Sequence, residues 1–242
     1  MSEFSKTIES FWQESFLADD SIFRSDSLTI NANLDQQANR QLMLLETADG
    51  KLTASMTPAL ADRLGLYQQQ DLTPALLRQK LQDNNIQLHG ADYVFHFTVS
   101  ERHALLQEPQ PENLRQLGLT DELVFAEFQS NASEQDLDNA YVELDHRAVF
   151  GSFEQDSLVC VASMYPWHDQ KIADVGVLTL PSFRNRGHAR RVIRAISRHA
   201  YTQGYEPQYR CQLDNAASVA LAKAVGLTPY CKWDVISSGS KE

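Results

Sequence analysis

The apolar residues in the C-terminal half of the chain alternate between two spacings. Short runs rich in Val, Ile, Leu and aromatic residues predict strands, and runs with apolar positions three or four residues apart predict helices. From residue 111 onward these patterns predict a strand, two helices, three strands, a helix, a strand, a helix and a last strand. The predicted ranges are, in that order, residues 113–117, 121–128, 134–141, 147–153, 157–165, 172–179, 186–203, 208–213, 216–225 and 230–236.

The first 110 residues have a different pattern, which predicts a smaller α+β region. A hairpin is expected from strands at residues 42–47 and 52–56, because a turn-forming Ala-Asp-Gly-Lys segment separates them. Helices at residues 58–64 and 74–83 each follow a Thr-Pro helix start, and an apolar strand at residues 93–99 ends the region. One further helix near the N-terminus carries Phe4, Ile8, Phe11 and Trp12.

A polar, Pro-rich segment at residues 106–112 separates these two regions. Such a composition is typical of linkers. We therefore predict two domains, residues 1–108 and residues 109–242. Two roles remain open for the first domain. It is either a diverged copy of part of the second, or a dimerisation and substrate-covering domain, which would make the protein a homodimer.

The segment from residue 174 to residue 203 reads as a strand, a tight polar turn and a helix. Pro181 closes the strand, and Gly187 and Ala189 allow ligand atoms to approach the backbone where the helix begins. The first N–H groups of a helix have no partner within the helix, so they point at any anion that binds there. The turn therefore predicts a phosphate site, and a pyrophosphate is the expected ligand.

The helix after this turn carries a row of arginines. Arg190, Arg194 and Arg198 are spaced four residues apart, opposite a packed face of apolar residues, and Arg191 lies beside the row. The row predicts a cationic surface. It either contacts phosphates or is an ordinary solvated helix face.

Two motifs resemble signatures of the GNAT superfamily of acyl-CoA N-acyltransferases. Arg184-x-x-Gly187-x-Ala189 resembles the acyl-CoA-binding signature, and residues 215–227, with Asn215, Ser218 and Gly226, resemble the second signature. The order of elements from residue 111 to residue 242 is also similar to that family. The resemblance implies an α/β (α+β) GNAT fold, with a mixed central sheet and flanking helices, to which the N-terminal α+β region is added.

The same resemblance implies a function and a set of cofactor ligands. The chain is expected to transfer an acetyl group from acetyl-CoA to a small-molecule or peptide amine, by direct attack in a ternary complex. The alternative is a non-catalytic CoA-binding sensor or interaction module. The residues assigned to cofactor binding are Leu178, Thr179, Arg184, Asn185, Arg186, Gly187, His188, Ala189, Arg190, Asn215 and Ser218.

The catalytic residues are less well specified by the sequence. Asp174 lies near the place where the family often carries a basic Glu, and it is either the base or a strand carboxylate with structural partners. Glu127 is the next candidate, followed by Glu143, Asp145, His146 and His168. The family's usual acid is a Tyr directly after the motif Leu, but Ala222 follows Leu221 here. Tyr230 or Ser218 is therefore expected to protonate the thiolate.

Composition and charge fit this interpretation. The chain is 43% hydrophobic and 22% charged, which is typical of globular proteins. Residues 111–165 hold 2 basic and 11 acidic side chains, whereas residues 166–242 hold 11 basic and 6 acidic ones. The basic part suits an anionic cofactor. The acidic part either attracts a cationic amine or is solubilising surface.

Several partners are not expected. A net charge of −11, and arginines without interleaved aromatic residues, argue against nucleic acid. No apolar run approaches the length of a membrane span or a signal peptide, so a cytoplasmic protein without a membrane partner is expected. Cys160, Cys211 and Cys231 have no metal-ligand spacing, so neither a metal site nor a structural disulfide is expected.

Overall fold

A computed structural model describes residues 3–16, 20–36, 40–109, 111–167 and 169–236 of the chain. It contains α1 (Lys6–Glu14), β1 (Asp20–Arg24), β2 (Leu28–Ala32), β3 (Leu42–Thr47), β4 (Leu52–Met56), α2 (Pro58–Arg63), α3 (Pro74–Asp83), β5 (Asp92–His96), α4 (Val99–Leu106), β6 (Leu114–Leu117), α5 (Glu122–Ser130), α6 (Glu134–Ala140), β7 (Ala148–Glu154), β8 (Ser157–Pro166), β9 (Ile172–Thr179), α7 (His188–Thr202), β10 (Glu206–Gln212), α8 (Ala216–Val225) and β11 (Thr228–Val235).

These elements form two compact units. The larger unit comprises the chain up to Glu9, Phe95–Arg210 and Ala216–Thr228, and the smaller unit comprises Ser10–Val94, Cys211–Asn215 and the chain from Pro229. Leu106 and Glu112, the ends of the predicted linker, both lie inside the larger unit. The structural units therefore do not coincide with the predicted domains, residues 1–108 and 109–242. None of the helices in the described ranges has the length and apolarity needed to cross a bilayer.

The smaller unit has the strand order β1-β2-β4-β3-β11. The predicted hairpin of β3 and β4 is present, and β2 pairs with β4 in parallel. Helices α2 and α3 begin as predicted, because the Thr57 and Thr73 side chains accept hydrogen bonds from N–H groups three residues ahead and a Pro follows each Thr. Strand β2 was not predicted. Its core residues Leu28 and Ile30 alternate with Thr29 and Asn31, a spacing typical of a strand.

The larger unit contains the strand order β10-β9-β8-β7-β6. Neighbouring strands from β6 to β9 are antiparallel, and β10 is parallel to β9. Helices α5 and α6 pack on the face of the sheet that carries Val161 and Leu178, where Phe125 and Phe128 complete the core. Helix α7 packs on β7, β8 and β9, and its His188 contacts Ser152 on the opposite face. The predicted mixed sheet with flanking helices is confirmed.

One prediction in this unit was wrong at its end. The strand predicted at residues 93–99 stops at His96, and helix α4 begins at Val99. The Thr98 hydroxyl accepts a hydrogen bond from the N–H of Glu101 at 3.2 Å. Thr and Glu three residues apart are a common start signal for a helix. The sequence prediction therefore placed the apolar Val99 in the strand, whereas Val99 is the first residue of a helix that Thr98 caps.

Candidate functional site

The parallel strands β9 and β10 separate at one end of their ladder. Their register runs from Ile172↔Glu206 to Asp174↔Gln208 and ends there, although β9 continues to Thr179. Within the described ranges, β10 supplies no ladder partner to residues 175–179. One edge of β9 is therefore open over this stretch, and an extended ligand can pair with it as an added strand would.

The backbone groups that face the opening follow from the alternation of strand amides. The Leu180 N–H donates to the Val159 carbonyl on β8 at 3.0 Å, so Leu180 and Leu178 face β8. Val177 and Thr179 then face the opened edge. The backbone of Leu178, which the sequence analysis assigned to cofactor binding, is therefore engaged with β8, whereas the backbone of Val177, which the sequence motif did not single out, faces the open edge. The Leu178 side chain is buried in the core.

The turn that follows β9 has the geometry of an anion site. Asn185 and Gly187 have φ values of 64° and 80°, and Gly187 directly precedes α7. Within the part of the chain that the structure describes, no protein acceptor bonds to the backbone N–H groups of residues 186–190. They include those of His188 and Ala189 in the first turn of a helix of 15 residues, where the helix dipole also favours a negative charge.

Two exposed arginines flank this turn. Arg184 donates from Nε to the Thr179 carbonyl at 3.1 Å, and its guanidinium lies 3.0 Å from the Asp136 carboxylate. The Arg186 guanidinium lies 2.9 Å from the Glu154 carboxylate. Exposed ion pairs of this kind stabilise a protein by at most about 1 kcal/mol. Both guanidinium groups can therefore exchange a carboxylate for a phosphate at low cost.

The predicted cationic row on α7 has a different role. Arg190 donates to the Ala224 carbonyl at 2.8 Å, and Arg194 donates to the Val225 carbonyl, so both cap the C-terminal end of α8. Arg194 is only 8% exposed and forms an ion pair of 2.6 Å with Glu108, and Arg198 donates to the Glu108 carbonyl. The prediction of a cationic surface is therefore wrong for Arg194. Arg190 is exposed, but its Nε–H already donates to a carbonyl at the end of α8.

His188 contributes its backbone, rather than its side chain, to the turn. Its buried ring lies beneath the turn, with Nδ1 2.9 Å from the Ser152 hydroxyl and 3.1 Å from an Arg191 guanidinium nitrogen. Because a guanidinium can only donate, Nδ1 accepts and Nε2 carries the proton. Nε2 then donates to the Glu154 carboxylate at 3.1 Å. The ring thus ties the first turn of α7 to β7.

The second motif forms helix α8 and its ends. Gly226 has a φ of 94°, and the N–H of Leu227 donates to the Ala222 carbonyl at 3.0 Å, so the helix ends in the predicted glycine cap. Asn215 is exposed and directly precedes α8, and Ser218 lies in its first turn. The roles of Asn215 and Ser218 in cofactor binding stay predictions.

Asp174 is buried and has structural partners on both carboxylate oxygens. It is 3% exposed. Oδ1 accepts from Gln208 Nε2 at 2.7 Å, and Oδ2 accepts from Trp167 Nε1 at 2.7 Å and from Arg210 Nη2 at 2.6 Å. The Arg210 guanidinium also lies 5.3 Å from the centre of the Trp167 ring. These contacts favour a structural role for the Asp174 carboxylate over a role as general base.

A cluster of three rings lies next to this ion pair. The ring centres of Tyr141, His146 and Tyr165 are 4.9 to 5.0 Å apart. His146 Nδ1 lies 2.8 Å from the Ser163 hydroxyl, and burial lowers the pKa of His146. Burial, together with the Asp174 charge, raises the pKa of Tyr165 to about 12. His146 lies between two predicted elements, and only the register of the folded strands brings it to this place.

The other candidate catalytic residues lie in less enclosed surroundings. Glu127 is on the exposed face of α5, and Glu143 and Asp145 are also exposed. Tyr230 is half-buried in the smaller unit, where its ring centre lies 6.5 Å from that of Trp12. His168 falls outside the described residues. The catalytic roles of Glu127 and Tyr230 stay predictions.

Comparison with known proteins identifies the family. A family model described as GNAT acetyltransferase matches residues 61–236. The chain belongs to this GNAT family. A GNAT acetyltransferase of Colwellia psychrerythraea has a similar fold, with a TM-score of 0.50 and 18% identity over 66% of this chain and 60% of that one.

Two further solved structures match the chain with lower TM-scores. A GNAT-family protein of Novosphingobium aromaticivorans has 16% identity and a TM-score of 0.44 over 76% of this chain and 82% of its own. An aminoglycoside N-acetyltransferase in complex with CoA has 23% identity and a TM-score of 0.39 over 48% of this chain and 92% of its own. A search of curated proteins found no match.

Proposed function

We propose that this GNAT protein is an acyl-CoA-dependent N-acyltransferase that transfers acetyl from acetyl-CoA to a primary amine by direct attack in a ternary complex. The observation that carries the proposal is the continuity of the open edge of β9 with the turn of unbonded amides at residues 186–190. The open edge suits the amide-containing pantetheine arm, and the turn suits its pyrophosphate. One ligand with both parts is CoA.

The residues present fit this cosubstrate. Amides 186–190 would hold the pyrophosphate, and Arg184 and Arg186 would supply positive charge beside it. The backbone groups of Val177 and the N–H of Thr179 would bind the pantetheine amides as a neighbouring strand does. Bound acetyl-CoA supplies the acyl group as an activated thioester. We also assign Asn215, which directly precedes α8, and Ser218, in the first turn of α8, to cofactor binding.

The acceptor is proposed to be a cationic amine. Helices α5 and α6 and the loop after them expose acidic residues that include Glu122, Glu127, Glu134 and Glu143. Their negative field raises the local concentration of an ammonium substrate and speeds its association at low salt. The rate of transfer should therefore fall as ionic strength rises, even when acetyl-CoA is saturating.

The competing function is a CoA-binding sensor without turnover. Two observations favour it: Asp174 is fully engaged by structural donors, and Ala222 stands where the family's usual acid would be. The two functions share the cofactor site and differ only in turnover. A protein that binds acetyl-CoA and releases no thiol with any amine would establish the sensor.

Two glycines at opposite ends of α7 provide a matched test of the cofactor site. Gly187 and Gly204 have φ values of 80° and 77°, so alanine strains both backbones equally. Only Gly187 lies among the unbonded amides. We expect Gly187→Ala to weaken acetyl-CoA binding at least tenfold in calorimetric titration, and to lower thiol release at subsaturating acetyl-CoA equally (~1.4 kcal/mol). Gly204→Ala should bind like the wild type, and equal affinity in the two variants would contradict the assignment.

A further inference from the structure

The base of the proposed reaction must be a side chain with a lone pair that no hydrogen-bond donor of the protein occupies. Asp174 does not meet this condition, because the side chains of Trp167, Gln208 and Arg210 donate to its two oxygens. Removing a proton from the amine would require Asp174 to release these donors inside the protein. A buried carboxylate gives up such charge-assisted hydrogen bonds only at high cost.

His146 has the opposite arrangement. In the tautomer that we assign, the Ser163 hydroxyl donates to the Tyr141 carbonyl, 3.5 Å away, and accepts a hydrogen bond from His146 Nδ1–H at 2.8 Å. The proton therefore resides on Nδ1, and Nε2 presents a lone pair. Among the residues that the structure describes, none bonds to this Nε2. The ring is thus oriented by one nitrogen and available at the other, as a general base requires.

The ring cluster holds this orientation, and part of it is strained. Tyr141 has a φ of 46° and a ψ of 54°, which is rare for a bulky residue, and it is 54% exposed. Its backbone conformation brings the carbonyls of Ala140 and Tyr141 against Gly176 on β9 and its ring against His146. Backbone strain of this kind is concentrated at functional sites.

The cluster lies near the expected position of the thioester. Ser163 pairs with Gly176, two residues beyond the last β9 residue that pairs with β10. The strand spans about 10 Å from Gly176 to Thr179, where the turn before α7 begins. An extended pantetheine arm that starts at the turn therefore runs toward the rung that His146 covers.

We infer that His146 is the general base of the proposed N-acyltransferase, an assignment that rests on the proposed function. The amine reacts in its neutral form, after the ammonium has released one proton to solvent. Its nitrogen attacks the thioester carbon, so that an N–C bond forms and the C–S bond breaks. The nitrogen gives its proton to His146 Nε2, directly or through one water. The imidazolium then gives this proton to the CoA thiolate. One proton moves from nitrogen to sulfur, which closes the balance without a Tyr after Leu221.

The electrostatic surroundings agree with this role. The titratable and charged groups that face His146 are Tyr141 from the end of α6, Glu143 and Asp145 from its own loop, and Tyr165 from β8. Burial lowers the pKa of His146, and the two carboxylates oppose this effect. The imidazole is therefore neutral at pH 7 and able to accept a proton.

The test compares two histidines. His146→Asn keeps an N–H that can donate to Ser163 and removes Nε2. His199→Asn is the control, because burial also lowers the pKa of His199 and its ring packs on Phe150 at 5.4 Å, yet it lies near the far end of α7. Each variant is assayed for acetyl-CoA affinity. Its kcat/KM for an amine that the wild type acetylates is then measured across a range of about pH 5.5–9.5, which includes the ordinary histidine pKa of about 6.5.

We expect His146→Asn to bind acetyl-CoA within about twofold of the wild type and to lose kcat/KM by about 10²- to 10⁴-fold. The neutral fraction of an alkylamine rises about tenfold per pH unit over this window in every variant. The variant should therefore lose only the additional steepening of kcat/KM at the acidic end of the profile, which loss of a merely structural residue would not remove. His199→Asn should match the wild type throughout. A His146→Asn enzyme with near wild-type kcat/KM, or one that retains the additional steepening, would overturn the assignment alone. Wild-type protein that acetylates no amine would overturn the proposed function and the assignment with it.

Discussion

The substitution Asp174→Asn separates a structural carboxylate from a catalytic one. Asn has almost the same shape as Asp, so packing is preserved. It lacks the charge that balances Arg210, and its amide N–H₂ would replace one of the two oxygens and so face either the Gln208 donor or the donors of Trp167 and Arg210. We therefore expect the variant to lose stability, because buried donors are left without an acceptor and a partly buried guanidinium is left without its counter-charge.

The size of this loss follows from the burial of the pair. Removing one partner of a fully buried ion pair costs about 3–5 kcal/mol. The Arg210 side chain retains 25% of its exposure, compared with 4% for Asp174, so water can partly replace the missing carboxylate. We therefore place the cost at the lower end, about 3 kcal/mol. For a chain of this size, that cost lowers the Tm by about 6–12 °C.

Thermal unfolding monitored by circular dichroism measures this change. Asp136→Asn is the control, because Asp136 forms an exposed ion pair with Arg184, and its loss should shift the Tm by no more than about 2–4 °C. Asp174→Asn with an unchanged Tm but a large loss of kcat would refute the structural role and restore Asp174 as the base.

Two further predictions concern stability. Gly176→Ala should lower the free energy of unfolding by about 1–3 kcal/mol in urea denaturation, because the added Cβ would lie 2.2 Å from the Ala140 carbonyl oxygen. Gly118→Ala is the control and should change this free energy little, because no atom lies within 4 Å of the added Cβ. Equal effects of the two substitutions would contradict the close approach of α6 to β9. His96 is buried with a pKa of about 4, so between that value and about 6.5 the unfolded chain binds a proton that the folded protein does not, and stability should fall by about 2 kcal/mol from pH 7 to pH 5. His96→Gln should weaken this pH dependence if it folds, and a wild-type stability that is constant over this range would already contradict the shift.

Much of the larger unit could be predicted from the sequence because its signals are local. Strand β9 and helix α8 have the predicted bounds, since apolar runs ended by Pro181 and Gly226 carry their own boundaries. The turn before α7 was equally readable, because Gly187 and the helix start are neighbours in sequence; its binding of phosphate stays a prediction. Contacts between distant segments were not readable. No pattern showed that Arg194 would pair with Glu108, or that Trp167, Gln208 and Arg210 would all donate to Asp174.

The candidate base illustrates the same limit. His146 is a single histidine in a loop, and its significance depends on Ser163 and Tyr165 from β8 and Tyr141 from the end of α6. Strand register alone brings these groups together. Helix α4 was missed for a simpler reason, because the Thr98 and Glu101 start signal was outweighed by the apolar Val99.

The most direct test of the proposed function is the stoichiometry of transfer. Wild-type protein is incubated with acetyl-CoA and a panel of amines of different charge, thiol release is followed by a chromogenic reagent, and the amine products are identified by mass spectrometry. We predict one acetylated amine for each CoA released, with the highest rates for multiply charged amines at low salt. Acetyl-CoA binding without an acetylated product from any amine would contradict the N-acyltransferase function and leave the sensor.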